Sequence, residues 1–166
     1  MLYDKNITVN YNMNKLLTLA IVHQDNKVLL GMKKRGFGVN RWNGFGGKVT
    51  EGESIEQGAK RELVEEAGIE PLDMDKRGII EFHFPGDDPI LEVHLFKITQ
   101  YKGEPVESEE MKPQWFDIKQ IPFDKMWSDD IYWMQMFLQD QKFRATFHFN
   151  ENDQVIEHKL EVVSVL

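Results

Sequence analysis

Gly47-Lys-Val-Thr-Glu-Gly-Glu53-Ser54-Ile55-Glu-Gln57-Gly-Ala59-Lys-Arg61-Glu62-Leu63-Val-Glu65-Glu66-Ala-Gly68-Ile69 is dense in carboxylates and bracketed by glycines. Its punctuation predicts a helix. Ser54 with Gln57 three residues on forms an S-x-x-Q capping box, and Gly68 followed by Pro71 closes the element. At about 100° per residue, Glu62 and Glu66 fall on the side of that helix that carries Ile55 and Ala59, while Glu65 lies to the other side of Glu62. Two carboxylates therefore face protein, where a solvated face would have put them opposite the apolar stripe. Inward-facing carboxylates are costly, because desolvation and mutual repulsion both disfavour the charged form. A divalent cation neutralises them directly, and an all-oxygen donor set suits Mg²⁺ or Mn²⁺. The alternative, a solvated helix on which Arg61 pairs its neighbours, accounts for any one Glu better than for the set.

Outward from this helix, residues 33–47 (Lys33-Lys-Arg-Gly-Phe37-Gly-Val-Asn-Arg41-Trp-Asn43-Gly-Phe-Gly46-Gly47) hold four cations, five glycines and three aromatics. A flexible basic loop is the plain reading. Its place directly before the acidic helix favours a phosphate-binding one, with cations for the oxygens and glycines that let backbone N–H groups come close.

The remaining segments predict a mixed α/β chain. Leu16–Val22 and Lys27–Met32 read as strands joined by a turn over residues 23–26. Lys76–Phe84 and Ile90–Thr99 read as a strand pair around Pro85-Gly-Asp-Asp-Pro89, Gln114–Ile118 as a short strand, and residues 143–163 as a terminal hairpin. His83 and His94 are expected on solvated faces of their strands. A second helix covers Ile131–Leu138, and Ser128 as its N-cap with Asp129 and Asp130 in the first turn is ordinary helix-start chemistry. Residues 1–14 read as a polar arm before one domain over 15–166.

Composition narrows the function classes. The formal charge is −8, so attraction to a nucleic-acid polymer is not expected, and a small anionic ligand needs a cation or local Lys and Arg. Without cysteine there are no disulfides, thiolate ligands or cysteine nucleophiles. No run approaches the ~20 apolar residues of a membrane span, and no targeting segment is visible. The expectation is a monomer in the cytoplasm, with the nucleus and mitochondrion as alternative compartments.

Gly47, Glu53, Arg61, Glu62, Leu63, Glu65, Glu66, Gly68 and Ile69 match every defined position of the Nudix box, G-x5-E-x7-R-E-U-x-E-E-x-G-U with U apolar, and the chain on this basis resembles the Nudix hydrolases. From about Leu17 onward it is similar to the animal MutT-type branch, which removes oxidised purine nucleoside triphosphates. The runs Gly31–Gly38, Arg41–Lys48 and Pro105-Val-Glu-Ser carry that likeness. The resemblance implies a Nudix fold, α/β (α+β) with a mixed central sheet between helices, and Mg²⁺-dependent hydrolysis of a nucleotide substrate. By the same resemblance Glu62, Glu65, Glu66, Glu110 and Gly46 hold metal. Glu66 or Glu110 serves as general base, with Arg61 orienting the carboxylates. Lys33 meets phosphate, Asn43, Asp129 and Asp130 meet the base edge, and Thr18, Phe37, Phe82, Phe84 and Trp127 line the pocket. Hydrolysis of a dinucleoside polyphosphate, a cap or ADP-ribose, and a catalytically silent nucleotide-binding domain, are the alternatives at this point.

Overall fold

The computed structural model describes residues 14–166. The polar arm expected over residues 1–14 lies, except for Asn14, outside them.

Ten strands and two α-helices follow in the order β1 (Lys15–Gln24), β2 (Lys27–Lys33), β3 (Trp42–Asn43), α1 (Ile55–Ala67), β4 (Glu70–Pro71), β5 (Asp75–His83), β6 (Leu91–Ile98), β7 (Tyr101–Lys102), β8 (Met111–Asp117), α2 (Asp130–Leu138), β9 (Lys142–Phe149) and β10 (Val155–Val163). Eight of the strands form one sheet in the order β10-β9-β5-β6-β1-β2-β3, with β8 on the other side of β2, and β4 pairs with β7 separately. The main sheet is mixed. β1 runs parallel to β6 and β5 parallel to β9, while the remaining pairs in it are antiparallel.

Alternation along the central strands supplies a core on each face. On one face Ala20, Val22, Leu29, Phe45, Phe96 and Ile98 pack with Ala59, Leu63 and Ala67 of α1. On the other, Ile21, Leu30, Ile80, Leu95 and Phe147 pack with Trp133, Met134 and Phe137 of α2. The expected sheet between helices is therefore present. The capping box of α1 is present too: Ser54 Oγ accepts from Gln57 N at 3.1 Å, and Gln57 Oε1 accepts from Ser54 N at 2.8 Å. Gly68 ends the helix at φ 71°, a left-handed conformation that favours glycine.

Three expectations change. His94 is not solvated but buried, with Nε2 2.8 Å from Glu92 Oε1. The reason is that β6 lies between β1 and β5, so alternation along it separates two covered faces. The terminal hairpin forms, yet β9 also joins β5 in parallel, bringing Phe147 opposite Phe82. Ser128 does not cap α2. Its hydroxyl donates to Asp153 O and accepts from Val155 N, both at 3.0 Å, and Asp129 is the residue before the helix, making no side-chain capping bond.

Gly46 fixes how α1 approaches the sheet. The segment before the helix crosses β1 through Ala20 N–Phe45 O and Thr18 N–Gly47 O hydrogen bonds of 2.6 and 2.9 Å. A Cβ at Gly46 would lie 1.8 Å from the Thr18 carbonyl oxygen, and backbone on both sides leaves nothing to swing aside. Gly46→Ala is expected to destabilise the fold by about 3 kcal/mol, at the upper end of overpacking costs. The midpoint of denaturant unfolding measures it, and an unchanged midpoint would show that the two segments separate easily.

Candidate active site

The carboxylates of α1 are organised by one guanidinium. Arg61 donates to Glu53 Oε1 and Oε2 at 2.7 and 3.0 Å, to Glu62 Oε1 at 2.7 Å, to Glu65 Oε2 at 3.3 Å and to Lys48 O at 3.0 Å. These contacts hold the Glu53 carboxyl down to about 2, the hydrogen bonds from Arg61 being the largest cause and the Thr50 N–H the next. Gly47 gives Glu62 its room: a Cβ there would stand 2.6 Å from the carboxylate. Arg61 thus links Glu53, Glu62 and Glu65 through one guanidinium.

Glu66 sits deeper, 3% exposed. Its Oε2 accepts from Gly46 N at 3.0 Å, and its Oε1 lies 3.6 Å from Lys33 Nζ. Burial pushes its carboxyl up to about 7; the Lys33 charge and the Gly46 N–H oppose the rise, and the Glu62 and Glu110 charges add to it. Glu110 arrives from the loop before β8 and binds Lys33 and Arg35, each at 3.3 Å, which holds its carboxyl below the usual range.

Glu62, Glu65, Glu66 and Glu110 border one opening. As the side chains stand, no three His, Asp or Glu among the described residues converge on one point. Lys33 and Arg61 draw the carboxylates apart. The chemistry of the set nevertheless fits a hard divalent cation: every side-chain donor is a carboxylate oxygen, and burial of Glu66 among other acids leaves negative charge for a cation to neutralise.

A cavity of about 1050 Å³ runs from Lys33, Glu66 and Glu110 at one end to Asp129 and Asp130 at the other. Its walls between them are aromatic. Phe84 stacks on Phe149 with centroids 4.8 Å apart, and Trp127 meets Phe37 at 4.9 Å and Phe84 at 5.9 Å. Phe82 lies against Phe147 and Phe149. Such a slot takes a flat heterocycle by stacking.

At the closed end, Asp129 and Asp130 are 2% and 3% exposed. Burial raises both carboxyls, Asp129 to about 6 and Asp130 well above its ordinary value, the neighbouring Asp129 charge adding to the burial of Asp130. Asp129 Oδ2 accepts from Trp133 Nε1 at 2.8 Å, whereas Asp130 Oδ2 is buried with no partner. An orphaned carboxylate oxygen in a cavity wall is a ready place for a ligand's polar edge. Asn43 completes this end. Its side-chain oxygen accepts from Gly44 N at 2.8 Å, so its amide NH₂ is the group available to a ligand.

The structure gathers the expected residues into two groups. Glu62, Glu65, Glu66, Glu110, Gly46 and Lys33 stand at the acidic end, although Glu65 is largely exposed. Asn43, Phe37, Phe82, Phe84, Trp127, Asp129 and Asp130 stand along the slot. Thr18 borders the cavity as well, but the alternation of β1 turns its side chain to the α1 face with Ala20 and Val22. The helix-start reading of the Asp pair is overturned, because these carboxyls are buried and make no capping bond. Two contributors went unread. Trp133, which holds Asp129, was detectable four residues on along a helix. Phe149 had no signal, since its role needs β9 beside β5.

Among the described residues no helix is long and apolar enough to cross a membrane. Comparison with known proteins gives a consistent result. The NUDIX domain model matches residues 13–137. The chain is 54% identical to the oxidized purine nucleoside triphosphate hydrolase of Danio rerio, covering 92% of this chain and 98% of that protein. To the protein of the same name in Mus musculus it is 51% identical, covering 90% and 96%. The crystal structure of the Bacillus halodurans MutT protein superposes with a TM-score of 0.79 at 28% identity, covering 89% of this chain and 97% of that one.

Proposed function

The chain belongs to the Nudix family, and from that premise we propose that it hydrolyses oxidised purine nucleoside triphosphates, such as 8-oxo-dGTP and 2-hydroxy-dATP, to the monophosphate and pyrophosphate. The reaction removes mutagenic precursors from the nucleotide pool. The observation that carries the substrate assignment is the continuity of the cavity: one space joins a buried, partly unpartnered Asp pair to a cluster of carboxylates and Lys33. A purine packed against the aromatic wall that Phe84 and Trp127 form then has its edge at Asp129, Asp130 and Asn43 and its phosphates at the acidic end.

Nudix hydrolases generally need a divalent metal, and we assign Mg²⁺, with Mn²⁺ as a substitute, to Glu62, Glu65, Glu66, Glu110 and the Gly46 carbonyl. When bound, the ion neutralises phosphate charge and acidifies water. The protein's own groups supply the rest. Lys33 moves from Glu66 and Glu110 to the phosphate oxygens, a transfer between anions that costs little charge separation. Arg61 keeps Glu62 and Glu65 in place. Glu66, buried in the cavity wall, takes the proton of the attacking water as the water oxygen bonds to phosphorus, the P–O–P bond breaks, and pyrophosphate leaves. Glu110 keeps its Arg35 contact when Lys33 leaves and is the weaker base.

Oxidation at C8 converts N7 of guanine from an acceptor to an N–H donor. The Asp pair, sharing a proton, presents one acceptor and one donor and so suits both guanine and adenine derivatives. We take the chain to act as a monomer in the cytoplasm, a reducing compartment with which the cysteine-free sequence is compatible.

Turnover of 8-oxo-dGTP, 2-hydroxy-dATP, dGTP, a dinucleoside polyphosphate, a cap analogue and ADP-ribose, with and without Mg²⁺, tests the assignment. The oxidised triphosphates are expected to be fastest and the metal-free reactions silent. Preference for ADP-ribose or the cap, or binding without turnover, would overturn it.

A further inference from the structure

Trp127 is gripped from outside the cavity. The Arg41 guanidinium carbon lies 4.1 Å from the centroid of the Trp127 ring, and Arg41 Nη2 donates to Asp153 Oδ2 at 2.9 Å. Arg41 does not itself border the cavity, whereas Trp127 and Asp153 do. Three chain segments meet here. Arg41 leads directly into β3 and the base-edge residue Asn43, Trp127 leads into the Asp pair, and Asp153 belongs to the turn between β9 and β10.

The turn is set for this contact. Asp153 has φ 57°, a left-handed conformation that an aspartate tolerates better than most side chains. Its carbonyl accepts from Ser128 Oγ, between Trp127 and Asp129. The same residue thus holds the aspartate turn through its backbone and the tryptophan through Arg41. A half-exposed ion pair contributes little to stability. A guanidinium laid over the indole and fixed at its far side by a carboxylate instead determines where that ring stands.

We propose that Arg41 and Asp153 are positioning residues for purine recognition: as a clasp they set the Trp127 wall of the slot, and so the affinity for the base, without taking part in bond cleavage. This rests on the substrate reading above only in requiring that a purine occupies the slot.

The test measures kcat and KM of the full chain for whichever nucleotide the panel identifies as best, so that failure of the 8-oxo-dGTP assignment and failure of the clasp are seen separately. Arg41→Ala is expected to raise KM about tenfold, the size of one well-placed cation–aromatic contact, with kcat within about twofold. Asp153→Asn should raise KM less, and the double variant should match Arg41→Ala, because the carboxylate acts through the guanidinium. Arg41→Lys keeps the charge but not the planar contact and should recover only part of the loss. An unchanged KM in Arg41→Ala, additive effects in the double variant, or a fall in kcat at constant KM would overturn the proposal. Should Arg41→Ala fold poorly, the KM ratio of Asp153→Asn to the parent decides the matter: no change there rejects the clasp.

Discussion

Glu66→Gln is expected to lower kcat by about a thousandfold, within the range for loss of a general base, while the Kd for an oxidised purine monophosphate stays within about twofold of the parent, the two ends of the cavity being independent. The substitution keeps the shape and one oxygen, but removes the negative charge and the proton acceptor together. The amide also cannot reproduce both existing contacts. Gly46 N–H needs an acceptor and Lys33 an anion; the amide oxygen serves only the first. The groups proposed to recognise the base, Asn43, Trp127 and the Asp pair, lie along the slot and are untouched by the change. Single-turnover kinetics with calorimetric binding of the monophosphate separates the two effects. Parent-like turnover would show that the proton goes elsewhere, Glu110 being the next carboxylate along the cavity wall. The same assay on Glu110→Gln, expected to lose less, ranks the pair.

The second large effect concerns discrimination. Asp129→Asn and Asp130→Asn are each expected to reduce the preference for 8-oxo-dGTP over dGTP by about 10- to 100-fold, the value of one buried hydrogen bond to a charged or shared-proton group. An amide at either position offers an acceptor and a donor that can no longer exchange roles with the neighbour. The variants also report the proton directly. Both carboxyls have their folded values raised above the ordinary 3.8, Asp129 to about 6 and Asp130 in the same direction. The folded protein therefore keeps protons that the unfolded chain releases. Stability from this source is full below about 4 and declines as pH rises through 6 and beyond, the reverse of a salt-bridged aspartate. Asp130→Asn has no such proton to lose. Its melting temperature relative to the parent, followed from pH 4 to pH 8, should rise as pH increases above about 4. A constant difference across that range would mean that the pair is ionised in the folded protein, and the shared-proton account of dual base recognition would fall with it.

The acidic end was readable because its information is local. The capping box, the three- and four-residue spacing of Glu62, Glu65 and Glu66, and the terminating Gly68 all act within one helix, and each recurs in the structure. The base end was not, because its residues acquire meaning only through distant partners. Asp129 and Asp130 have the same local sequence whether they cap a helix or close a pocket. What distinguishes them is burial in a cavity whose wall includes Phe149, contributed by a strand that pairs in parallel with β5, far earlier in the chain. His94 failed for a related reason. Alternation shows that a strand has two unlike faces, but not that a helix and neighbouring strands cover both.

That parallel pairing of β9 with β5 also joins two parts of the chain that the family-domain match separates. The match to the family domain ends at residue 137, after the carboxylates, Lys33 and the Asp pair but before Phe147, Phe149 and Asp153. The carboxylates of the acidic end thus lie wholly within the matched domain, while the aromatic slot is finished by β9, which the matches to the Danio rerio and Mus musculus proteins also reach. During synthesis the order is the same: a ribosome that has reached α2 has made every acidic ligand and no complete recognition pocket. A chain ending there would lack not only that wall but also Phe143, Phe147 and Phe149 of the core on the α2 face, so the residues that finish the slot also complete the fold.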